Sequence, residues 1–198
     1  MFHTKELEKK LDSKKDYRKE ETFYRQKIRE AMEILGKNPK TIFIGQTVGY
    51  PGSKFTYGTL DKIPIEKRIE LPIMEEVQMG MSIGLALGGY IPVSIYPRID
   101  FVLLAMNQLV NHLDKLYEMS QGQINPKVII RATVGCITPL HPGPQHSKDH
   151  TSALESALEN VYIKKLTKAE EIVPEYEAAL KRNGPSLLID DGNLHFKS

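Results

Sequence analysis

The sequence predicts an α/β domain of three layers, a mainly parallel six-stranded sheet with helices on both faces. Three observations predict it. Short apolar runs bounded by glycine and proline recur along the chain, and each reads as a buried strand. Segments of helical periodicity lie between them, so successive strands are joined by crossovers, which are right-handed and make neighbours parallel. The long Gly- and Pro-rich stretches begin at strand ends, where such sheets collect their ligands.

Residues 1–21 alternate lysines with acids and hold few large apolar side chains, so a charged helical arm is expected there, with the domain itself spanning 22–198. From Tyr17 the pattern becomes amphipathic. Tyr24, Ile28, Met32 and Leu35 share one face, and Gly36 is a stop signal. Thr41–Gly45 reads as a buried strand. Residues 46–66 are rich in Gly, Pro, Ser and Thr and form a loop long enough to be functional or disordered.

Arg68–Leu71 is a second strand, ended by Pro72. Glu75–Leu87 is a helix whose glycines permit close packing, and Ile91–Tyr96 is the third strand. Asp100 is placed to cap a long apolar helix reaching about Met119, with Val102, Met106, Leu109, Leu113 and Leu116 on one stripe. Lys127–Arg131 is a fourth strand, and residues 133–150 form a loop rich in Gly, Pro and His. The remainder alternates helix (151–159), strand (161–165), helix (168–182) and strand (185–190). Three loops therefore start at carboxyl ends of strands: 46–66, 71–75 and 133–150.

Composition narrows the function classes. The chain has 198 residues, 40% hydrophobic and 26% charged, with a net charge of +2. That balance creates no strong field for nucleic acid or an anionic membrane. No apolar stretch is long enough to span a bilayer, and the first residues lack the apolar core of a secretory signal. The single cysteine, Cys136, forms no intrachain disulfide and suits a reducing cytoplasm.

A set of short motifs carries the chemistry. In chain order they are Gly45-Gln46-Thr47-Val48, Pro72-Ile73-Met74-Glu75, Gly89-Tyr90-Ile91-Pro92, Asn107-Gln108-Leu109-Val110-Asn111, the run Lys115 to Gln123, and Gln145-His146-Ser147. At this order and spacing the stretch from about Tyr24 to Asp190 resembles the pyrimidine-binding domain of thiamine-diphosphate enzymes. It is most like the beta subunit of the decarboxylating component of 2-oxoacid dehydrogenases.

The resemblance implies thiamine diphosphate as cofactor and gives several residues roles. The coenzyme's 4′-amino group becomes a base only when a carboxyl group exchanges a proton with ring nitrogen N1′. The resemblance assigns that carboxyl to Glu75, and a desolvated carboxyl with a raised pKa suits the task. Phe101 matches the aromatic that packs on the aminopyrimidine, and His146 matches a histidine at the mouth of the site that handles protons. Gln46, beside the cofactor in the family pattern, stands where an acid is usual, as does Thr47, and Asn107 replaces an aspartate. Amides keep hydrogen bonds there but do not carry protons.

The residues alone leave other readings open. Glu75 and Glu76 both suit the positive end of a helix dipole, and on context the dipole role is left to Glu76. Phe101 is equally a first core residue of an apolar helix. Cys136, His141, His146 and His150 contain the donor types of a zinc site, at a spacing that fits no standard one. Asp190-Asp191-Gly192-Asn193 reads as a strand-end turn rather than a Mg²⁺ motif.

The resemblance therefore implies a stand-alone subunit whose partner chain binds the diphosphate and Mg²⁺, in a homodimer or heterotetramer, working in 2-oxoacid decarboxylation or acyl transfer. A split transketolase, a non-oxidative 2-oxoacid decarboxylase and a non-catalytic scaffold of the same fold are the alternatives. The cofactor would lie at an interface around residues 46–66, 75, 101 and 146, for which Tyr50, Phe55, Tyr57 and Tyr96 supply apolar surface.

Overall fold

A computed structural model describes residues 21–135 and 141–196. Six strands form one sheet: β1 (Thr41–Gly45), β2 (Arg68–Glu70), β3 (Ile91–Tyr96), β4 (Ile129–Val134), β5 (Tyr162–Leu166) and β6 (Ser186–Asp191). Their order is β2-β1-β3-β4-β6-β5, and every neighbouring pair is parallel. After β2 the chain returns to the other side of β1. The carboxyl ends of β1 and β3 thus border the point where strand order reverses, the favoured ligand crevice of an open parallel sheet.

Helices α1 (Phe23–Lys37) and α5 (Ala169–Lys181) pack together over one face, in a core with Phe43, Val93, Ile129 and Leu188. The opposite face is covered by α2 (Glu75–Leu87), the helical segment from Ile99 to Met119 and α4 (Thr151–Ala157), around Tyr96, Ile130, Leu187 and Ile189. Adjacent residues such as Ile129 and Ile130 point into opposite cores, which is why these strands read as continuous apolar runs.

Local chemistry explains the element ends. Thr22 caps α1 by accepting the Arg25 N–H, and Tyr24, Ile28, Met32 and Leu35 form its buried stripe. Gly36 does not stop this helix. It lies inside α1, and a β-carbon there would stand 2.5 Å from Ile63 Cδ1, so the glycine admits the loop.

The expected long helix after β3 is not continuous. Ile99–Ala105 is 3₁₀, Asn107–Leu113 is π, and only Leu116–Met119 (α3) is α-helical. Asp100 lies inside the first of these rather than capping it. The stripe nevertheless faces the core: Val102, Leu109 and Leu113 are buried, with Met106 and Leu116 packed beside them.

The β1–β2 crossover has no α-helix, and Val48, Leu60 and Ile63 fill the core position a helix would take. Arginines fasten it. Arg68 donates to the carbonyls of Val48, Leu60 and Ile63, Arg25 to Lys54 O, Arg29 to Gly58 O, and Arg131 to Thr59 Oγ1 and Phe55 O. Glu70 accepts the N–H groups of Thr47 and Gly49 at 2.7 and 2.6 Å. The loop is thus ordered by charge-assisted bonds to its backbone.

Of the expected arm, residues 1–20 lie outside the described residues. Glu21 is buried, pairs with Arg25 and Arg29, and bridges antiparallel to Phe196.

Candidate active site

The two loops and two helical segments that follow β1 to β4 carry Gln46, Glu75, Phe101 and His146, all at the carboxyl edge of the sheet. Glu75 opens α2 and is only 5% exposed. Gln46 Nε2 donates to its Oε1 at 3.1 Å, and the Tyr96 hydroxyl donates to its backbone carbonyl at 3.3 Å. Since Oε1 is engaged by an amide donor, Oε2 is the oxygen left to carry a proton. One turn further on, the buried Gln78 donates to Ser94 Oγ and Ile95 O, which ties α2 to β3.

Gly45 makes the close approach possible. A β-carbon there would run into the Ile95 carbonyl oxygen, and its φ of 155° disfavours other residues. Thr47, at φ 57°, turns the chain immediately after Gln46.

Phe101 and His146 form the second pair, with ring centroids 5.3 Å apart and planes at 60°. Phe101 also packs against the neighbouring core, as expected of the first core residue of an apolar helix. Arg98 joins this pair to β3: its Nη1 donates to His146 O at 2.8 Å and Gly135 O at 3.0 Å, while its own carbonyl accepts the Phe101 N–H.

Glu76 is different. It is exposed, and Asn107 Nδ2 and Gln108 Nε2 donate to its Oε1 at 3.1 and 3.4 Å, which lowers its pKa. Asn107, the amide in an acid's place, therefore serves Glu76 and not Glu75.

Thr47 Oγ1, Asp100 Oδ2 and His146 Nδ1 are buried here without hydrogen-bond partners. A buried carboxyl, an aromatic face and unsatisfied polar atoms at a sheet crevice are the donor set that suits a planar, nitrogen-bearing ring.

One expectation needs correction. Phe55 and Tyr96 are buried and Tyr57 half-buried, so of the four aromatics only Tyr50 is exposed. Apolar surface is supplied instead by Ile73, Met74, Val77 and Met81 on and before α2, with Leu103 and Leu104 beside it. His150 Nε2 lies 3.4 Å from Asp100 Oδ1, and His141 Nδ1 accepts the Gly143 N–H; Cys136 lies outside the described residues. Among the described residues no group of three or more His, Cys, Asp or Glu side chains could hold a metal ion. Asp190 is fully buried on Arg131, and Asp191 accepts the Asn193 N–H in the turn expected there.

Sequence reasoning missed Glu70, Gln78 and Arg98. Their signal was position: Glu70 ends β2 and Arg98 follows β3, both at the edge where ligands gather.

No protein-family model matches the chain. Similar proteins include the chloroplastic pyruvate dehydrogenase E1 component subunit beta-3 of Arabidopsis thaliana, 33% identical over 131 residues, covering 65% of this chain and 31% of that one. The corresponding subunit of Staurastrum punctulatum is 31% identical over 137 residues, covering 68% and 40%. The chain thus spans less than half the length of these curated relatives. Among solved structures, a split gene transketolase described as an inactive beta4 tetramer superposes with TM-score 0.67 at 20% identity, over 88% of this chain and 52% of that one. Campylobacter jejuni transketolase gives 0.65 at 18%, over 94% and 29%. Over about two thirds of its length the chain is thus similar in sequence to pyruvate dehydrogenase E1 beta subunits, and it shares its fold with transketolases.

Proposed function

We propose that this chain is the pyrimidine-binding subunit of a thiamine-diphosphate-dependent enzyme that decarboxylates a 2-oxoacid or transfers its acyl group. A separate chain binds the diphosphate and Mg²⁺. The observation that carries the reading is the buried Glu75 carboxyl, held through one oxygen by Gln46 at the crevice between β1 and β3.

The coenzyme supplies the carbon nucleophile and the electron sink that decarboxylation needs. The chain's own residues prepare it. Glu75 Oε2 would hold the proton exchanged with a bound pyrimidine, with Gln46 fixing which oxygen is free to do so. The Tyr96 hydroxyl holds the Glu75 carbonyl, so the carboxyl is set at the start of a rigid helix. Phe101 offers its ring to the pyrimidine face and keeps water from the exchange, and His146 handles protons at the substrate end.

The apolar side chains on α2 and at Leu103 and Leu104 suit burial against further subunits. A dimer of this chain, completed by the diphosphate-binding chains, is the assembly expected.

The test is Glu75→Gln in the complex reconstituted with the diphosphate-binding partner. Glutamine keeps size and a hydrogen bond but does not exchange the proton. Turnover should fall by about a hundredfold to ten-thousandfold with fold and assembly unchanged. Full turnover would sink the catalytic reading and leave a scaffold. Turnover on ketose phosphates with none on 2-oxoacids would replace the substrate class and keep the role of Glu75.

A further inference from the structure

We infer that Arg98 is a positioning residue for His146, a clamp that closes the base of the β4–α4 loop and so sets the imidazole against Phe101. The inference rests on the reading of His146 as a site residue, and it deepens that reading.

The loop leaves β4 at Gly135, whose φ of 68° turns the strand out of the sheet. It returns through Gly143, at φ 89°, into the single 3₁₀ turn Pro144–His146. Left-handed glycines turn the chain at these two points, yet a three-residue turn has little stability of its own. The Arg98 guanidinium bridges the two ends. One nitrogen, Nη1, donates to Gly135 O at 3.0 Å and to His146 O at 2.8 Å, eleven residues apart in sequence. Within the turn, the His146 N–H and Ser147 Oγ both reach Gly143 O, at 3.2 and 3.1 Å.

The clamp has a fixed base. Arg98 lies two residues beyond the buried end of β3, its carbonyl accepts the Phe101 N–H, and its guanidinium lies over the Phe55 ring at 5.8 Å. It has no carboxylate partner among the described residues, so its charge is shared with the two loop carbonyls. Backbone and ring of His146 are thus both referred to β3, the backbone through Arg98 and the ring through Phe101.

The consequence falls on one atom. His146 Nδ1 is buried without a partner, so proton exchange with a substrate must pass through Nε2. Where Nε2 points depends on a turn that Arg98 holds. Lysine can still donate to both carbonyls, though without the planar fork, and methionine keeps the length and donates nothing.

The experiment uses the full chain with histidine labelled at Cε1, read by NMR, with the His146 signal assigned from His146→Gln. In Arg98→Met that signal should shift or broaden, in Arg98→Lys it should return towards its original position, and the signal of the buried His195 should stay in place as a fold control. In the reconstituted complex, Arg98→Met should lower kcat on the order of tenfold to a hundredfold with KM little changed, and Arg98→Lys should recover most of it. An unmoved His146 signal in Arg98→Met overturns the clamp whatever the activity. If Arg98→Met does not fold, an Arg98→Lys signal identical in position and width to the original overturns it instead. A moved signal, with full turnover in both Arg98→Met and His146→Gln, keeps the clamp and removes His146 from the chemistry.

Discussion

At Glu75 a single amide decides which carboxyl oxygen is available, and Gln46 makes that choice through a 3.1 Å bond to Oε1. Gln46→Leu should therefore preserve the fold and lower turnover of the reconstituted complex by about tenfold, the worth of one hydrogen bond to a charged group. Parallel kinetics and thermal melts check this. Glu76→Gln, on the exposed side of the same turn, should leave turnover within about twofold, well below the effect expected of an acid–base group. An inactive Glu76→Gln beside an active Glu75→Gln would move the catalytic role by one residue.

His195 is a second titratable group with a legible consequence. It is fully buried, 3.6 Å from Asp190, and burial outweighs that carboxylate, so its pKa lies below the ordinary 6.5. A group that binds its proton more weakly when folded contributes stability above its unfolded pKa and loses it as pH falls. Stability should decline below about pH 6.5. His195→Phe should flatten that part of the profile in denaturant titrations run at pH 8 and pH 5.

Among the elements, the β1–β2 loop shows how irregular backbone is held next to a site. Arg131 and Asp190, both fully buried and 2.7 Å apart, join β4 to β6, and Arg131 also reaches Thr59 and Phe55 of the loop. Burial opposes both charges, but each holds the other in the ionised form, raising the pKa of Arg131 and lowering that of Asp190. Asp190→Ala would leave an uncompensated guanidinium and should cost about 3–5 kcal/mol in a denaturant titration. Glu70→Ala should act locally, speeding hydrogen exchange at Thr47 and Gly49 with little change in global unfolding.

Over the whole molecule, one exposed apolar region stands out. Ile73, just before α2, is 79% exposed and Val77, on it, 43%, and the helix is apolar on the side away from its own core. A helix hydrophobic all round is one that is covered on all sides in its working state. Val77→Lys should weaken self-association in sedimentation without lowering the melting temperature. A chain that is monomeric at every concentration, with and without its partner, would contradict the assembly. The isolated chain should bind thiamine diphosphate weakly or not at all by calorimetry, because the charged diphosphate with Mg²⁺ normally supplies much of the anchoring. Tight Mg²⁺-dependent binding would reveal a phosphate site on this chain.

The strands, α2 and the loops at the carboxyl edge were all determined by local pattern. Thr41–Gly45, Ile91–Tyr96 and Glu75–Leu87 have the bounds their apolar runs and glycines mark, because a strand buried on both faces and a Gly-rich helix each leave a short-range signature. The approach of Gln46 to Glu75 and of His146 to Phe101 was not local. Each pair spans two neighbouring strands, β1 with β2 and β3 with β4, and the two pairs meet at one crevice because β3 lies beside β1, a non-consecutive pairing that periodicity does not encode. The same is true of Gly36, which has the form of a helix stop and acts as a packing site for Ile63 across 27 residues. It also holds for the aromatics of the 46–66 loop, whose burial was decided by four arginines on three other segments. Sequence periodicity reports which face of an element is apolar. What covers that face, and which polar groups meet at its edge, is decided by strand order and the pairing of buried charges.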